Sequence, residues 1–128
     1  MDLRTAIEDL RLVDQHAHPV LPGPIDPPEF ERFLTESDRP PPAGTSQFDS
    51  QLGFALRRWC APLFGLHAEV PADAYMHERN SWRETPPSAV LLSAAGCGRL
   101  LIDTGYAAAG SVGLADPRAP RQASVPAY

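Results

Sequence analysis

The segment Val13-Asp14-Gln15-His16-Ala17-His18-Pro19 holds the side chains best suited to chemistry. Side chains of an extended strand alternate between faces, so residues two apart project together. His16 and His18 then share a face, and Asp14 joins them. Two imidazoles side by side at a strand end can grip one divalent cation, and neutral histidine serves zinc, manganese, iron and nickel alike. Zinc is the first expectation, with manganese or iron as alternatives. Asp14 suits a supporting place behind the ligands, where a carboxylate fixes an imidazole tautomer, or it holds the strand end. The competing reading is a pair of solvent-facing histidines at a loop mouth. The apolar residues before the pair, the Asp two positions earlier and the loop that begins at Pro19 weigh toward the metal.

For the pair to project from a strand end, the strand has to stop at Pro19, which brings no N–H to a ladder. Upstream, Leu3, Ala6, Ile7 and Leu10 fall on one helical stripe, so a short helix is expected over 2–11. A Pro/Gly loop fills 19–28. Asp26-Pro27-Pro28-Glu29 reads as a helix start, with Asp as N-cap, proline at the first position and Glu as its N3 partner. Phe30, Phe33 and Leu34 form the apolar side of that helix, to about Glu36. Thr45 or Ser46 caps the next helix. There Phe48, Leu52, Leu56, Trp59 and Leu63 recur as a buried stripe, with Arg57 and Arg58 on a solvated face. Trp59, Phe48 and Phe64 read as core, and Pro62 or Gly65 ends the helix.

Two more helices are expected, over 71–80 and from Thr85-Pro86-Pro87 to Ala95, the latter closed by Gly96 in the left-handed conformation. Arg99 to Thr104 is a second strand, continuously apolar as a strand covered on both faces should be. Asp103 ends it, and either faces the metal site or serves the fold. Strands separated by helices imply parallel pairing, because a parallel crossover needs a long connection. The fold class is α/β. Residues 107–128 carry few large apolar side chains and read as an irregular Ala/Pro/Gly-rich tail.

Composition narrows the function. At 128 residues there is room for one modest domain. The 15 prolines are more than twice the usual ~5%, which means short elements joined by stiff turns. A formal net charge of −5 argues against nucleic acid as a partner. No apolar run approaches the ~20 residues of a membrane span. Met1 to Thr5 leads into an amphipathic stretch rather than a secretory segment, so a cytoplasmic protein is expected. Cys60 and Cys97 make no C-x-x-C pair and read as reduced thiols.

Other signals carry less. His77-Glu78-Arg79-Asn80-Ser81 begins like a zinc-protease helix, but Ser81 stands where the second histidine is needed. Gly96-Cys97-Gly98 precedes a strand instead of following one, against a dinucleotide loop. His67 and His77 lie in or beside predicted helices and are not assigned as ligands.

The stretch Leu12 to His18 resembles the start of the amidohydrolase superfamily. More of the chain is similar to the amidohydrolase-2 branch that includes the N-terminal part of fungal FluG-like proteins. The similar segments are Phe33-Leu34-Thr35-Glu36-Ser37, the helix around Ala55-Leu56-Arg57-Arg58, Ala94-Ala95-Gly96 and Leu101-Ile102-Asp103-Thr104-Gly105-Tyr106. The resemblance implies a (β/α)8 barrel in which His16 and His18 supply the first two metal ligands. It also implies hydrolysis of a C–N or related bond in a small-molecule substrate by metal-activated water. Some members of the branch are decarboxylases, which the same two ligands would serve.

A complete barrel takes about 250 residues. We therefore expect a partial barrel of two strand–helix units over 1–106, with a helix-rich insertion between its strands. The chain then reads as a truncated form with little activity alone, or as a fragment completed by a second copy or a complementing chain. A non-catalytic interaction module or an inactive fragment is the alternative.

Overall fold

The computed structural model describes residues 2–21, 23–39, 41–82 and 87–103 and the strand Arg121–Val125. Five helices and three strands follow in the order α1 (Leu3–Glu8), β1 (Leu12–Ala17), α2 (Pro27–Arg32), α3 (Gln51–Cys60), α4 (Ala72–Ser81), α5 (Pro87–Ala94), β2 (Cys97–Asp103) and β3 (Arg121–Val125). Short 3-10 turns precede and follow α3, at Gln47–Asp49 and Ala61–Phe64. The architecture is α/β. Its compact units are two: Met1–Pro22 with Ser88–Tyr128, which holds the sheet, and Gly23–Pro87, which is inserted between β1 and β2. The inserted unit carries α2, α3 and α4.

The sheet is parallel, in the order β1-β2-β3. β3 falls within the stretch 107–128 that reads as an irregular tail, of which 107–120 and 126–128 lie outside the described residues; it is the third strand among the described residues. Its backbone pairs along the whole of Arg99 to Asp103. A strand without large apolar residues escapes a reading built on hydrophobic runs, because ladder hydrogen bonds depend on the backbone alone. In this unit Leu100 and Ile102 are buried. By contrast, no residue of α1 is buried, and Leu3, Ile7, Leu10, Leu12 and Val13 are all more than half exposed.

In the inserted unit the local start and stop signals act as expected. The Asp26 carboxylate accepts from the Glu29 N–H at 2.8 Å and starts α2. Gly65 closes the second 3-10 turn at φ 77°. The core is aromatic and centres on fully buried Tyr75, with ring centroids of Phe48, Phe64 and Phe30 5.9–6.2 Å away. The Asn80 side chain ties the preceding loop to α4, donating to the Ile25 carbonyl at 2.8 Å and accepting from the Ile25 N–H at 3.3 Å.

The α3 stripe is corrected. Phe48 is buried, but Leu52 and Leu63 are exposed and Trp59 is 71% exposed. The helix instead buries the side that carries Gly53 and Arg57, four residues apart. Arg57, expected in solvent, donates to the carbonyls of Phe48 at 2.9 Å and Val70 at 3.2 Å. Those charge-assisted bonds fasten α3 to the segments on either side of it, an arrangement that repays the burial of a guanidinium. Gly53 lies against the preceding 3-10 turn so closely that a Cβ would overlap the Phe48 carbonyl.

Gly53→Ala is therefore expected to destabilise the protein by about 1–3 kcal/mol through overpacking, read as a lower urea midpoint at unchanged slope. Tyr75 yields a pH-dependent outcome. Its hydroxyl is buried with no hydrogen-bond partner among the described residues. Burial, and secondarily Cys60, push its phenol well above the ordinary tyrosine range, against a smaller opposing pull from Arg79. A raised folded-state pKa gives stability that is whole below the unfolded value of ~10 and is lost as pH rises beyond it. Tyr75→Phe should leave neutral-pH stability unchanged or higher, because no bond is lost. It should also remove this residue's share of the alkaline loss, measured as melting temperature against pH from 7 to 11.

Candidate metal centre

β1 reaches the site through an irregular ladder. Leu12 pairs with Cys97 and Val13 with Arg99, so β2 carries an extra residue, Gly98, at that step. Asp14 then pairs with Leu100 and Ala17 with Ile102, so β1 carries the extra residue between Asp14 and Ala17. Two residues on a bulged strand facing one on its neighbour bend the strand and break the alternation of its side chains. Gly98 suits its step because a Cβ there would press on the Arg11 side chain.

Beyond the second bulge, three side chains converge at the carboxyl ends of two adjacent parallel strands. His16 lies near the end of β1, His18 directly follows it, and Asp103 ends β2. One donor atom from each falls within 4.8 Å of the other two. The imidazole centroids are 4.9 Å apart with the rings at 84°, edge toward face. Both histidines are exposed and Asp103 is half-buried. Two ligands ~2.1 Å from one ion lie at most ~4.2 Å apart. An ion held by all three would therefore draw in a pair standing at the 4.8 Å limit by some tenths of an ångström. The donor set fits a divalent cation: two neutral nitrogens and one carboxylate supply three ligands, the number a catalytic zinc keeps while leaving a position open.

The expected residues are thus placed differently from one another. His16 and His18 come together, and Asp103 joins them, completing a set that the sequence left at two. Asp14, expected behind the ligands or at the strand end, accepts at its Oδ1 from the backbone N–H of His16 at 3.1 Å, and its carboxylate is not among the three converging groups. Strict alternation would have put Asp14 beside the rings, and the extra residue between Asp14 and Ala17 removes that alignment. His67 and His77 lie in the inserted unit and belong to no such group among the described residues. That unit's open groove of about 470 Å³, lined in part by Glu31, Arg32, Thr35 and Gln47, contains none of the three. The signal for Asp103 was legible as an acid ending an apolar strand, but its neighbour across the ladder was not.

No family model, curated protein or solved structure matches the chain.

If one ion engages all three donors, His16→Ala, His18→Ala and Asp103→Ala should each weaken zinc binding at least tenfold, while His77→Ala leaves it unchanged. Isothermal titration of zinc into the purified chain checks this. Equal affinity for all four variants and the parent would remove the site.

Proposed function

We propose that this chain carries the metal centre of a metal-dependent hydrolase of the amidohydrolase type, acting on a C–N or related bond of a small-molecule substrate. The observation that carries the reading is the convergence of His16, His18 and Asp103 at the carboxyl ends of β1 and β2. Open α/β sheets and β/α barrels place their ligands at that end of the strands. The sequential order of three parallel strands supports a partial (β/α)8 barrel, since barrel strands are laid down side by side in chain order.

His16 and His18 would bind the ion as neutral bases, and Asp103 would offset part of its charge. Zinc suits this set best, and manganese or iron would also be taken. A divalent ion supplies Lewis acidity, which polarises a scissile carbonyl and activates water for attack near neutral pH. The chain's own residues would hold the ion at a strand end where both histidines are exposed, so that water and substrate could reach it. A decarboxylase of the same branch would use the same three groups.

The exposure of Leu3, Ile7, Leu10, Leu12 and Val13 supports a chain that works with further polypeptide, either a second copy or a complementing chain. Such uncovered apolar surface marks interaction sites. No described helix is long and apolar enough to cross a membrane. Net acidity favours neither nucleic acid nor an anionic membrane as partner, and a cytoplasmic setting accords with this reading.

The test is turnover of an amide and ester panel, with carbon dioxide release from carboxylate substrates run beside it. Zinc-, manganese- and iron(II)-loaded chains are compared with the His16→Ala/His18→Ala variant. Weak, chelator-sensitive hydrolysis that the double variant lacks is expected. Equal rates in both proteins would sink the assignment, and metal-dependent carbon dioxide release without hydrolysis would move it to the decarboxylase.

A further inference from the structure

We infer that Asp14 is a positioning residue for the metal centre, acting through the backbone of His16 by a hydrogen bond rather than by its charge. This rests on the metal reading of His16, His18 and Asp103. In an unbroken parallel ladder, residues two apart share a face and their Cα atoms stand nearly two full strand steps apart. The extra residue lies between Asp14 and Ala17, at the stretch of strand that carries His16, and the two imidazoles stand 4.9 Å apart from centroid to centroid.

A bulge leaves backbone groups without their regular ladder partners. Asp14 supplies an acceptor inside the same bulge, its Oδ1 taking the His16 N–H at 3.1 Å. This i to i+2 bond is the kind that aspartate offers the backbone in place of sheet pairing. It closes a small ring around Gln15 and fixes the direction in which the His16 side chain leaves the strand. His16 is exposed, and the ring contact it makes is with His18, itself exposed. Its orientation toward His18 and Asp103 therefore depends on the backbone turn beneath it. Groups that orient ligands without touching the ion commonly change metal affinity 10- to 100-fold when removed.

The charge of Asp14 would also attract a cation, so two substitutions separate the two accounts. Asp14→Asn keeps an oxygen that can accept from the His16 N–H and loses the charge; Asp14→Ala loses both. Zinc affinity of the full chain is measured by titration, with the melting temperature of the metal-free protein recorded beside it. The expected result is an affinity within threefold of the parent for Asp14→Asn and at least tenfold weaker for Asp14→Ala. Equal weakening in both variants would show a charge effect and overturn the inference. A lower metal-free melting temperature for Asp14→Ala with unchanged zinc affinity would also overturn it, as a purely structural role. Should Asp14→Ala fail to fold, Asp14→Asn decides alone: retained affinity supports the inference and a tenfold loss overturns it. If the parent binds zinc no better than His16→Ala/His18→Ala, the metal reading itself fails, an outcome distinct from all of these.

Discussion

The pairing of β1 with β2, and its mismatch of one residue between Asp14 and Ala17, is the constraint on which the rest depends. Ladder hydrogen bonds hold the two strands at ~4.8 Å. That spacing brings the residue after β1 beside the residue that ends β2. Asp103 can approach His18 only because the strands run parallel and finish together. His16 comes to both from β1 itself, at the irregular step between Asp14 and Ala17.

The site is built from backbone more than from packing. His16 and His18 are exposed, and Leu100 and Ile102, the buried apolar side chains described in the sheet, belong to β2. These side chains follow the course of β1, whose backbone Asp14 bonds at His16. This suits a cation site open to solvent, where ligands have only to rotate slightly to close on an ion. The inserted unit solves a different problem. It buries an aromatic cluster around Tyr75, fastens its loops with Arg57 and Asn80, and contributes no member of the ligand set.

Much of the local structure was legible because its causes are local. Asp26 followed by two prolines starts a helix whatever surrounds it, and a glycine at Gly65 or Gly96 can take the left-handed backbone that ends one. Errors arose where a neighbour decides. The periodic Leu52, Leu56, Trp59 and Leu63 show that α3 is two-faced, but periodicity does not say which face meets a partner. The side with Gly53 and Arg57 is buried because a glycine admits a close turn and a guanidinium can satisfy two carbonyls. β3 was missed for a related reason: its partner is the β2 backbone, and its side chains announce nothing.

The sequence by itself determined the chemical vocabulary of the site. It placed two imidazoles two residues apart before a proline, an aspartate ahead of them, and a second acid at the end of an apolar run. Only the tertiary structure decided which of these meet. Convergence of His16, His18 and Asp103 depends on a ladder between segments more than eighty residues apart in the chain, and on where that ladder slips. Residue types are carried by the chain itself. Register is settled by the competition among all backbone pairings that the folded sheet can make.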